Sequence, residues 1–286
     1  MLLNILVEVK YSMMLLDLVG RKEKNKMGDF KYKHSLGQNF LKDKSVLIKI
    51  IDSVEVKEND LIIEIGPGHG ALTKYLKLFH ANLICFEIDT RVKPYLEKYE
   101  DNKTKIVYKD FMQVNLSEEL ENYEYENVYV IANIPYYITT PIITKFVESG
   151  IKIKEMVFMV QNEVADRLTA KVGTREYGAI SVLLGYYYDI NKLFVVSRKC
   201  FEPVPNVDSA VIKFSSKNDM FMLKDYGKFE KLVQDAFFMK RKNLKNNLKK
   251  YDLEKVTKVL EQYNLDLTNR AEQVPVECFV EISNIL

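Results

Sequence analysis

The sequence predicts an α/β protein, with a doubly wound sheet that ends in an antiparallel hairpin and is followed by a small all-α domain. Two observations lead to this prediction. Short apolar runs alternate with segments of helical period, which is typical of a sheet covered by helices. From residue 217 the chain is helical, polar and lysine-rich. We therefore expect an N-terminal extension of unclear role at 1–30, a larger domain at 31–216 and a helical domain at 217–286.

The composition fits a folded protein with a substantial core, because 47% of the residues are hydrophobic. The net charge of +2 is small, but basic residues are concentrated at Arg21–Lys49 and at Met239–Lys250, a run without an acid. Cys85, Cys200 and Cys278 form no Cys-x-x-Cys pair, so neither a disulfide framework nor a zinc site is indicated. A reducing cytoplasm and the absence of a metal are expected.

Residues 1–20 are apolar, but Glu8, Lys10 and Asp17 interrupt them. This argues against a membrane span and against a signal peptide, so we expect no membrane partner. An amphipathic helix, an extension without fixed structure and a true start at Met27 all remain open.

A basic, glycine-containing loop at Lys33–Leu41 precedes the first strand and could reach over the edge of the sheet. Asp43 then caps a predicted helix. The apolar residues of this helix recur at helical spacing and are Val46, Leu47, Ile50, Ile51 and Val54.

A glycine-rich turn follows directly on a buried strand, Leu61–Ile65. Gly66, Gly68 and Gly70 separate this strand from a helix, which allows the backbone to approach a ligand at the helix N-terminus. The spacing is Gly-x-Gly-x-Gly, and Glu64 precedes it. Because dinucleotide-binding turns have Gly-x-Gly-x-x-Gly, the motif argues against a dinucleotide.

Acids stand at the ends of the next two predicted strands. The strand Asn82–Ile88 ends with Glu87, which can accept hydrogen bonds from two ribose hydroxyls. The strand Lys105–Lys109 leads into Asp110, an acceptor for an adenine amine beside the apolar ring of Phe111. Each acid alone is more often a solvated charge at a strand end.

The apolar run Val128–Ala132 reads as a fourth buried strand, and Asn133-Ile134-Pro135-Tyr136 leaves its carboxyl end. Asn133 offers a carboxamide oxygen to an exocyclic amine, Pro135 fixes the local backbone and Tyr136 supplies a stacking face. A tight turn with a half-buried tyrosine explains an isolated match equally well. Suitable polar groups at three successive strand ends favour a nucleobase site.

The remaining elements complete the sheet. We expect a helix with a Thr139-Thr140-Pro141 N-cap signature, a strand at Glu155–Val160, helices at 161–168 and 177–184, and strands at Tyr186–Val196 and Asp208–Phe214. The last two strands are joined by a proline-stiffened loop, Phe201–Pro205, that presents Phe201. A hydrophobic plug over the hairpin and a base-stacking ring fit this residue equally well.

Together these motifs resemble the S-adenosylmethionine-dependent methyltransferases that modify the exocyclic amine of adenine. The resemblance is closest to the ribosomal RNA small-subunit adenine N6,N6-dimethyltransferases, and it extends from about Lys33 to the end of the chain. Further blocks match that family in order: Gly37–Leu41, Gln161–Val164, Phe201–Val211 and Arg270–Glu272.

The resemblance implies a Rossmann-like methyltransferase sheet, S-adenosyl-L-methionine as the cofactor and small-subunit (16S) ribosomal RNA in an immature 30S subunit as the partner of a monomeric enzyme. It implies dimethylation of the N6 amines of two adjacent adenosines in the 3′-terminal hairpin loop, during ribosome biogenesis. The cofactor-binding residues would be Asn39, Leu41, Gly66, Gly68, Glu87, Asp110 and Asn133. The catalytic residues would be Asn133, Ile134, Pro135, Tyr136 and Phe201.

The basic run is the expected RNA contact, through Lys240, Arg241, Lys242 and Lys245. If Met239–Lys250 is a helix, its lysines surround much of the helix surface and suit phosphate contact. A charge run is otherwise usually a solvated face. The family commonly has paired arginines where Lys240-Arg241-Lys242 stands. A lysine cannot form the planar, bidentate contact that an arginine makes with phosphate, so phosphate binding would be weaker here.

Three alternatives remain. One is a methyltransferase of large-subunit ribosomal RNA that confers antibiotic resistance and shares the Asn-Ile-Pro-Tyr motif. The second is a noncatalytic RNA-binding assembly factor that has kept the fold, against which the intact Glu87, Asp110, Asn133 and Tyr136 argue. The third is a nicotinamide dehydrogenase, which the glycine spacing disfavours.

Overall fold

The structure is a computed structural model that describes residues 38–218 and 221–286. The extension expected at residues 1–30, and the part of the basic loop before Gln38, lie outside the described residues. Within the described ranges, no helix is long and apolar enough to cross a membrane.

The strands form one seven-stranded mixed sheet and one two-stranded antiparallel sheet. Their bounds are β1 Phe40–Leu41, β2 Leu61–Ile65, β3 Asn82–Phe86, β4 Thr104–Val107, β5 Val128–Asn133, β6 Ile153–Gln161, β7 Tyr188–Val196, β8 Phe201–Glu202 and β9 Ser209–Ser216. The large sheet has the order β4-β3-β2-β5-β6-β9-β7. The strands of the predicted terminal hairpin, β7 and β9, are neighbours at one edge, and the predicted fold class is confirmed.

The strand order reverses between β2 and β5, which are parallel neighbours although the chain visits β3 and β4 between them. The parallel register pairs Ile65 with Phe86, and Phe86 with Val107. The carboxyl ends of β2, β3 and β4 are therefore level. In open α/β sheets, a ligand binds outside the carboxyl ends of the strands at such a reversal.

The helices lie between and after these strands. Their bounds are α1 Lys44–Ile51, α2 Thr73–Leu76, α3 Lys93–Leu96, α4 Leu116–Leu120, α5 Thr139–Glu148, α6 Asn162–Leu168, α7 Ala179–Tyr187, α8 Tyr226–Ala236, α9 Leu244–Asn247, α10 Leu253–Gln262 and α11 Val276–Ile285. The predicted cap of α1 is confirmed, because the Asp43 carboxylate accepts the backbone N–H groups of Ser45 at 2.8 Å and Val46 at 3.4 Å.

Two local predictions are wrong. Thr139 is the first residue of α5 rather than its cap, which is Ile138, and the Thr139 hydroxyl donates to the Tyr136 carbonyl at 3.3 Å. Met239–Lys250 is not one helix, because α8 ends at Ala236 and α9 is a single short turn. The physical reason is Asn243, whose side chain accepts the N–H of Asn246 at 3.2 Å and starts a new helix there.

The described chain divides into two compact units. The first unit contains residues 38–162 and Leu193–Lys213, and the second contains Glu163–Lys192 and Phe214–Leu286. Each unit has its own apolar core, with Tyr75 fully buried in the first and Phe279 fully buried in the second. The boundary expected near residue 217, between a catalytic domain and an RNA-binding domain, stays a prediction.

Candidate active site

A cavity of about 210 Å³ lies in the first unit, beyond the carboxyl ends of β2, β3, β4 and β5. It brings together almost all of the cofactor-binding and catalytic residues that the sequence predicted. These are Asn39, Leu41, Gly66, Gly68, Glu87, Asp110, Asn133, Ile134, Pro135 and Tyr136. Residues up to 97 positions apart in the chain thus line one space, because the parallel strands end at one edge.

The glycine turn is built so that only glycine fits it without strain. Gly66 and Gly68 have φ values of +68° and +57°, in the left-handed region that side chains disfavour. A Cβ atom on Gly68 would lie 2.6 Å from Cε1 of Phe40, whose ring stacks on His69 with a centroid distance of 4.3 Å. The turn therefore packs closely against the segment that carries Asn39 and Leu41.

Glu87 is buried, with 5% of its surface exposed, at the end of β3. Its Oε2 accepts the backbone N–H of Gly68 at 3.0 Å, and its Oε1 accepts the N–H of Asp89 at 2.8 Å. Burial raises the pKa of Glu87, while these backbone hydrogen bonds act to lower it. The carboxylate is thus held in one orientation and joins the end of β3 to the glycine turn after β2.

A second buried carboxyl group, Glu64, lines the same cavity. Its Oε2 accepts the hydroxyl of Thr73 at 2.7 Å and the thiol of Cys85 at 3.4 Å. Burial raises the pKa of Glu64 to about 8. Enclosure in the core therefore favours the uncharged form of Glu64 beside Glu87.

The segment that contains Asn39 is fixed to the sheet from both sides. The amide of Gln38 donates to Oδ2 of Asp89 at 2.7 Å, and the Arg91 guanidinium also binds that carboxylate, which lowers the pKa of Asp89 to about 2. On the other side, Nδ2 of Asn133 donates to the Asn39 carbonyl at 3.0 Å. This contact orients the Asn133 carboxamide and leaves its Oδ1 as the acceptor for a ligand.

Asp110 and Tyr136 are each held by a short hydrogen bond. The Asp110 carboxylate accepts the N–H of Met112 at 2.9 Å and caps a single 3₁₀ turn after β4. The Tyr136 hydroxyl shares a hydrogen bond of 2.7 Å with Oγ of the buried Ser209 on β9. Burial raises the pKa of Tyr136, so its phenol is neutral near pH 7.

The structure contradicts the expectation that Phe201 presents its ring to a base. Phe201 is fully buried and pairs with Leu41 between β8 and β1, so its ring packs in the core and does not line the cavity. This position fits the alternative interpretation, a hydrophobic plug. The residues after it, 203–207, line a separate groove of about 300 Å³ together with Gln38, Asn39, Tyr136 and Gln161.

Three apolar residues at the cavity were not singled out from the sequence. Ile88, Met112 and Tyr137 line it and are 50%, 37% and 59% exposed, respectively. Each lies one or two positions after a predicted site residue. That position is the signal that could have identified them, since an exposed apolar or aromatic residue beside a predicted site residue offers contact to a planar ligand.

The four predicted RNA-binding residues belong to the second unit. Lys240, Arg241 and Lys242 lie in the turn between α8 and α9, and Lys245 lies on α9. All four side chains are exposed, and none forms an ion pair with any residue that the structure describes.

Residues 29–286 match the family described as ribosomal RNA adenine dimethylase. The chain belongs to this family. It is 39% identical over 269 residues to the ribosomal RNA small subunit methyltransferase A of Streptococcus pneumoniae (strain P1031), which covers 90% of this chain and 92% of the relative. The resemblance noted in the sequence is therefore confirmed, and the chain is a member of an adenine methyltransferase family.

Two solved structures share the fold. A dimethyladenosine transferase from Plasmodium falciparum aligns with a TM-score of 0.70 and 26% identity, over 85% of this chain and 95% of its own. The 23S rRNA methyltransferase ErmE aligns with the same TM-score at 24% identity, over 86% of this chain and 98% of its own, which shows a common fold alone.

We expect Gly68→Ala to lower the free energy of unfolding by more than Gly150→Ala does. Gly150 also has a positive φ, +71°, but a Cβ there would meet nothing within 4 Å. Its replacement should cost about 1–2 kcal/mol from the backbone alone. Gly68→Ala must in addition displace the Phe40 ring from His69. Urea unfolding of both variants measures the difference, and equal decreases would show that Phe40 moves aside freely.

Proposed function

We propose that this protein dimethylates the N6 amines of two adjacent adenosines in the 3′-terminal hairpin loop of 16S ribosomal RNA, with S-adenosyl-L-methionine as methyl donor. It would act as a monomer on an immature 30S subunit, in the cytoplasm, during ribosome biogenesis. The observation that carries the proposal is that Asn133-Ile134-Pro135-Tyr136 shares one cavity with Glu87 and Asp110. The small-subunit relative supports the choice of RNA.

The residues of the cavity fit the proposed methyl donor. Each Glu87 oxygen accepts one backbone N–H, and a carboxylate has about four acceptor sites in all, so capacity remains for two ribose hydroxyls. Asp110 can accept an adenine amine, and the exposed Ile88 and Met112 offer apolar contact to a purine. The glycine turn leaves its backbone open to the methionine end. When bound, the cofactor supplies an electrophilic methyl group on a sulfonium.

The chain's own residues would make the adenine amine reactive chiefly by positioning it. The N6 lone pair of adenine is delocalised into the ring, which makes the amine a poor nucleophile. If Asn133 Oδ1 and the Ile134 carbonyl each accept one N6 hydrogen, the lone pair is aimed at the donor. The Asn133 amide is already oriented by its bond to the Asn39 carbonyl. After one transfer, loss of one N6 proton to solvent would leave a single N6 hydrogen, so the same site can serve a second transfer once the spent cofactor is replaced.

Tyr136 would hold the adenine ring after it leaves its stack. Extrusion of a base costs a few kcal/mol, least where the base already lies in a loop. The Tyr136 ring offers a stacking face, and its hydroxyl is held by Ser209 at 2.7 Å. Because the far end of the ring is anchored, the face is fixed before the RNA arrives.

The second unit would contribute phosphate contacts through Lys240, Arg241, Lys242 and Lys245. The acid that comes before them in the chain, Asp235, already interacts with other residues. Its carboxylate binds Lys250 at 2.7 Å and Lys231 at 3.0 Å and accepts the Tyr251 hydroxyl at 2.6 Å. The exposed cations of the turn are therefore available to RNA.

Glu87→Ala should weaken binding of S-adenosylmethionine by roughly 1.5–3 kcal/mol, because it removes two charge-assisted hydrogen bonds to ribose. Calorimetric titration measures the affinity, and Glu58→Ala, which removes an exposed carboxylate outside the cavity, is the control. Thermal unfolding of both variants separates a binding defect from a folding defect. Unchanged affinity in a folded Glu87→Ala protein would remove Glu87 from the site.

Neutralising Lys240, Arg241 and Lys242 together to glutamine should weaken RNA binding and leave cofactor binding unchanged. Removal of each phosphate contact should reduce the slope of log K against log salt by roughly 0.7–0.9. The control replaces Lys228, Lys255 and Lys258 by glutamine, which removes the same charge from other exposed positions of the second unit. Identical slopes for the two triple variants would show that the turn faces only solvent.

Asn133→Ala should lower the transfer rate by about 100-fold while the protein still folds, because the amine is no longer oriented. Tyr136→Ala should reduce the stabilisation of the transition state by roughly 1–3 kcal/mol, because it removes the face on which the adenine stacks. The assay incubates each variant with labelled S-adenosylmethionine and small ribosomal subunits that lack the modification, and then identifies N6-methylated adenosines in the digested RNA. Tyr125→Ala, at a half-exposed tyrosine outside the cavity, is the control.

Two outcomes of this assay would contradict the proposal. A parent protein that leaves small-subunit RNA unmodified and methylates large-subunit RNA would act as the large-subunit methyltransferase. A parental rate in Asn133→Ala would show that the amide does not position the amine, whatever the substrate.

A further inference from the structure

Phe238 projects from the turn between α8 and α9 with 82% of its surface exposed. The preceding residue, Phe237, behaves differently. Its ring contacts Tyr177 and Phe279 at centroid distances of 6.2 and 6.0 Å and packs against the core of the second unit. Two adjacent phenylalanines thus have separate roles: Phe237 anchors the turn, and Phe238 is turned to solvent.

The backbone of the turn that carries Phe238 is held by hydrogen bonds from the Asn247 side chain and within the turn. Nδ2 of Asn247 donates to the Ala236 carbonyl at 2.6 Å, and Oδ1 of the same side chain accepts the N–H of Met239 at 3.3 Å. The N–H of Lys242 donates to the Met239 carbonyl at 2.9 Å. The ring therefore stands on a preorganised backbone, so binding a ligand there would cost little ordering of the chain.

Positively charged residues follow Phe238 along the chain. Lys240, Arg241 and Lys242 follow within four positions, are exposed and form no ion pair with a described residue. An exposed apolar side chain by itself is ordinary on a protein surface. An aromatic ring on a fixed turn, followed by three available cations, has the composition of sites that bind single-stranded nucleic acid.

We propose that Phe238 stacks on an unpaired base of the RNA substrate, while the cations of the turn bind the adjoining phosphates. This inference depends on the proposed function, because it takes RNA to be the ligand of the second unit. A ring in contact with a base adds affinity without adding charge. The stacking contact of Phe238 would thus be insensitive to salt, whereas the phosphate contacts of the neighbouring cations would be weakened by it.

The chain contains no tryptophan, which permits a direct test. Phe238→Trp introduces a single fluorescent reporter at the proposed contact, and Met222→Trp introduces one at an equally exposed position of the same unit, 82%. Both proteins are titrated with 16S RNA transcribed in vitro. We expect RNA to quench the fluorescence of Phe238→Trp at the concentrations at which it binds, and to leave Met222→Trp nearly unchanged. Binding without selective quenching would overturn the proposal.

The affinity of further variants separates stacking from charge. Phe238→Ala and Phe238→Leu should each weaken RNA binding by about 5- to 100-fold with an unchanged salt slope, and Phe238→Tyr should bind as the parent does. Met222→Ala is the matched control. Parental affinity in Phe238→Ala would overturn the stacking contact and leave the proposed RNA methylation intact. Quenching by vesicles of anionic lipid but not by RNA would assign the turn to a membrane surface and overturn the inference, whereas a parent that binds no ribosomal RNA would overturn the proposed function itself.

Discussion

The parallel register of β2, β3 and β4, together with the reversal of strand order between β2 and β5, is the constraint on which the site depends. Because the strands end level, the glycine turn, Glu87, Asp110 and Asn133 reach one edge although long stretches of chain separate them. A slip in this register would move every strand-end group away from its neighbours. The fully buried strand β2 resists such a slip, since all five of its residues lie in the core.

Hydrogen bonds between distant segments then fix the groups that the sheet brings together. Glu87 binds the backbone of Gly68, Asn133 binds the Asn39 carbonyl and Tyr136 binds Ser209. Each bond joins two segments that are distant in sequence, so each orients a side chain that lines the cavity. A site that works by positioning needs this arrangement, because its groups must be in place before the substrate arrives.

The second unit has a different construction. It has its own core around Phe279, and its exposed turn carries cations rather than buried carboxylates. Phosphate contacts are sequence-independent and need only available charge, whereas the recognition of an adenine amine needs a fixed acceptor. Under the proposed function, the two compact units would meet these two requirements separately.

The sequence by itself determined the strands of the large sheet, the glycine turn and the strand-end groups Glu87, Asp110 and Asn133, because local apolar runs and turn residues specify these elements. Only the tertiary structure decided what depends on contacts between distant segments. It buried Phe201 by pairing it with Leu41, and it raised the pKa of Glu64 by enclosing that carboxyl group. Burial and pairing arise from the whole fold, so no local pattern at Phe201 could distinguish a plug from a stacking ring.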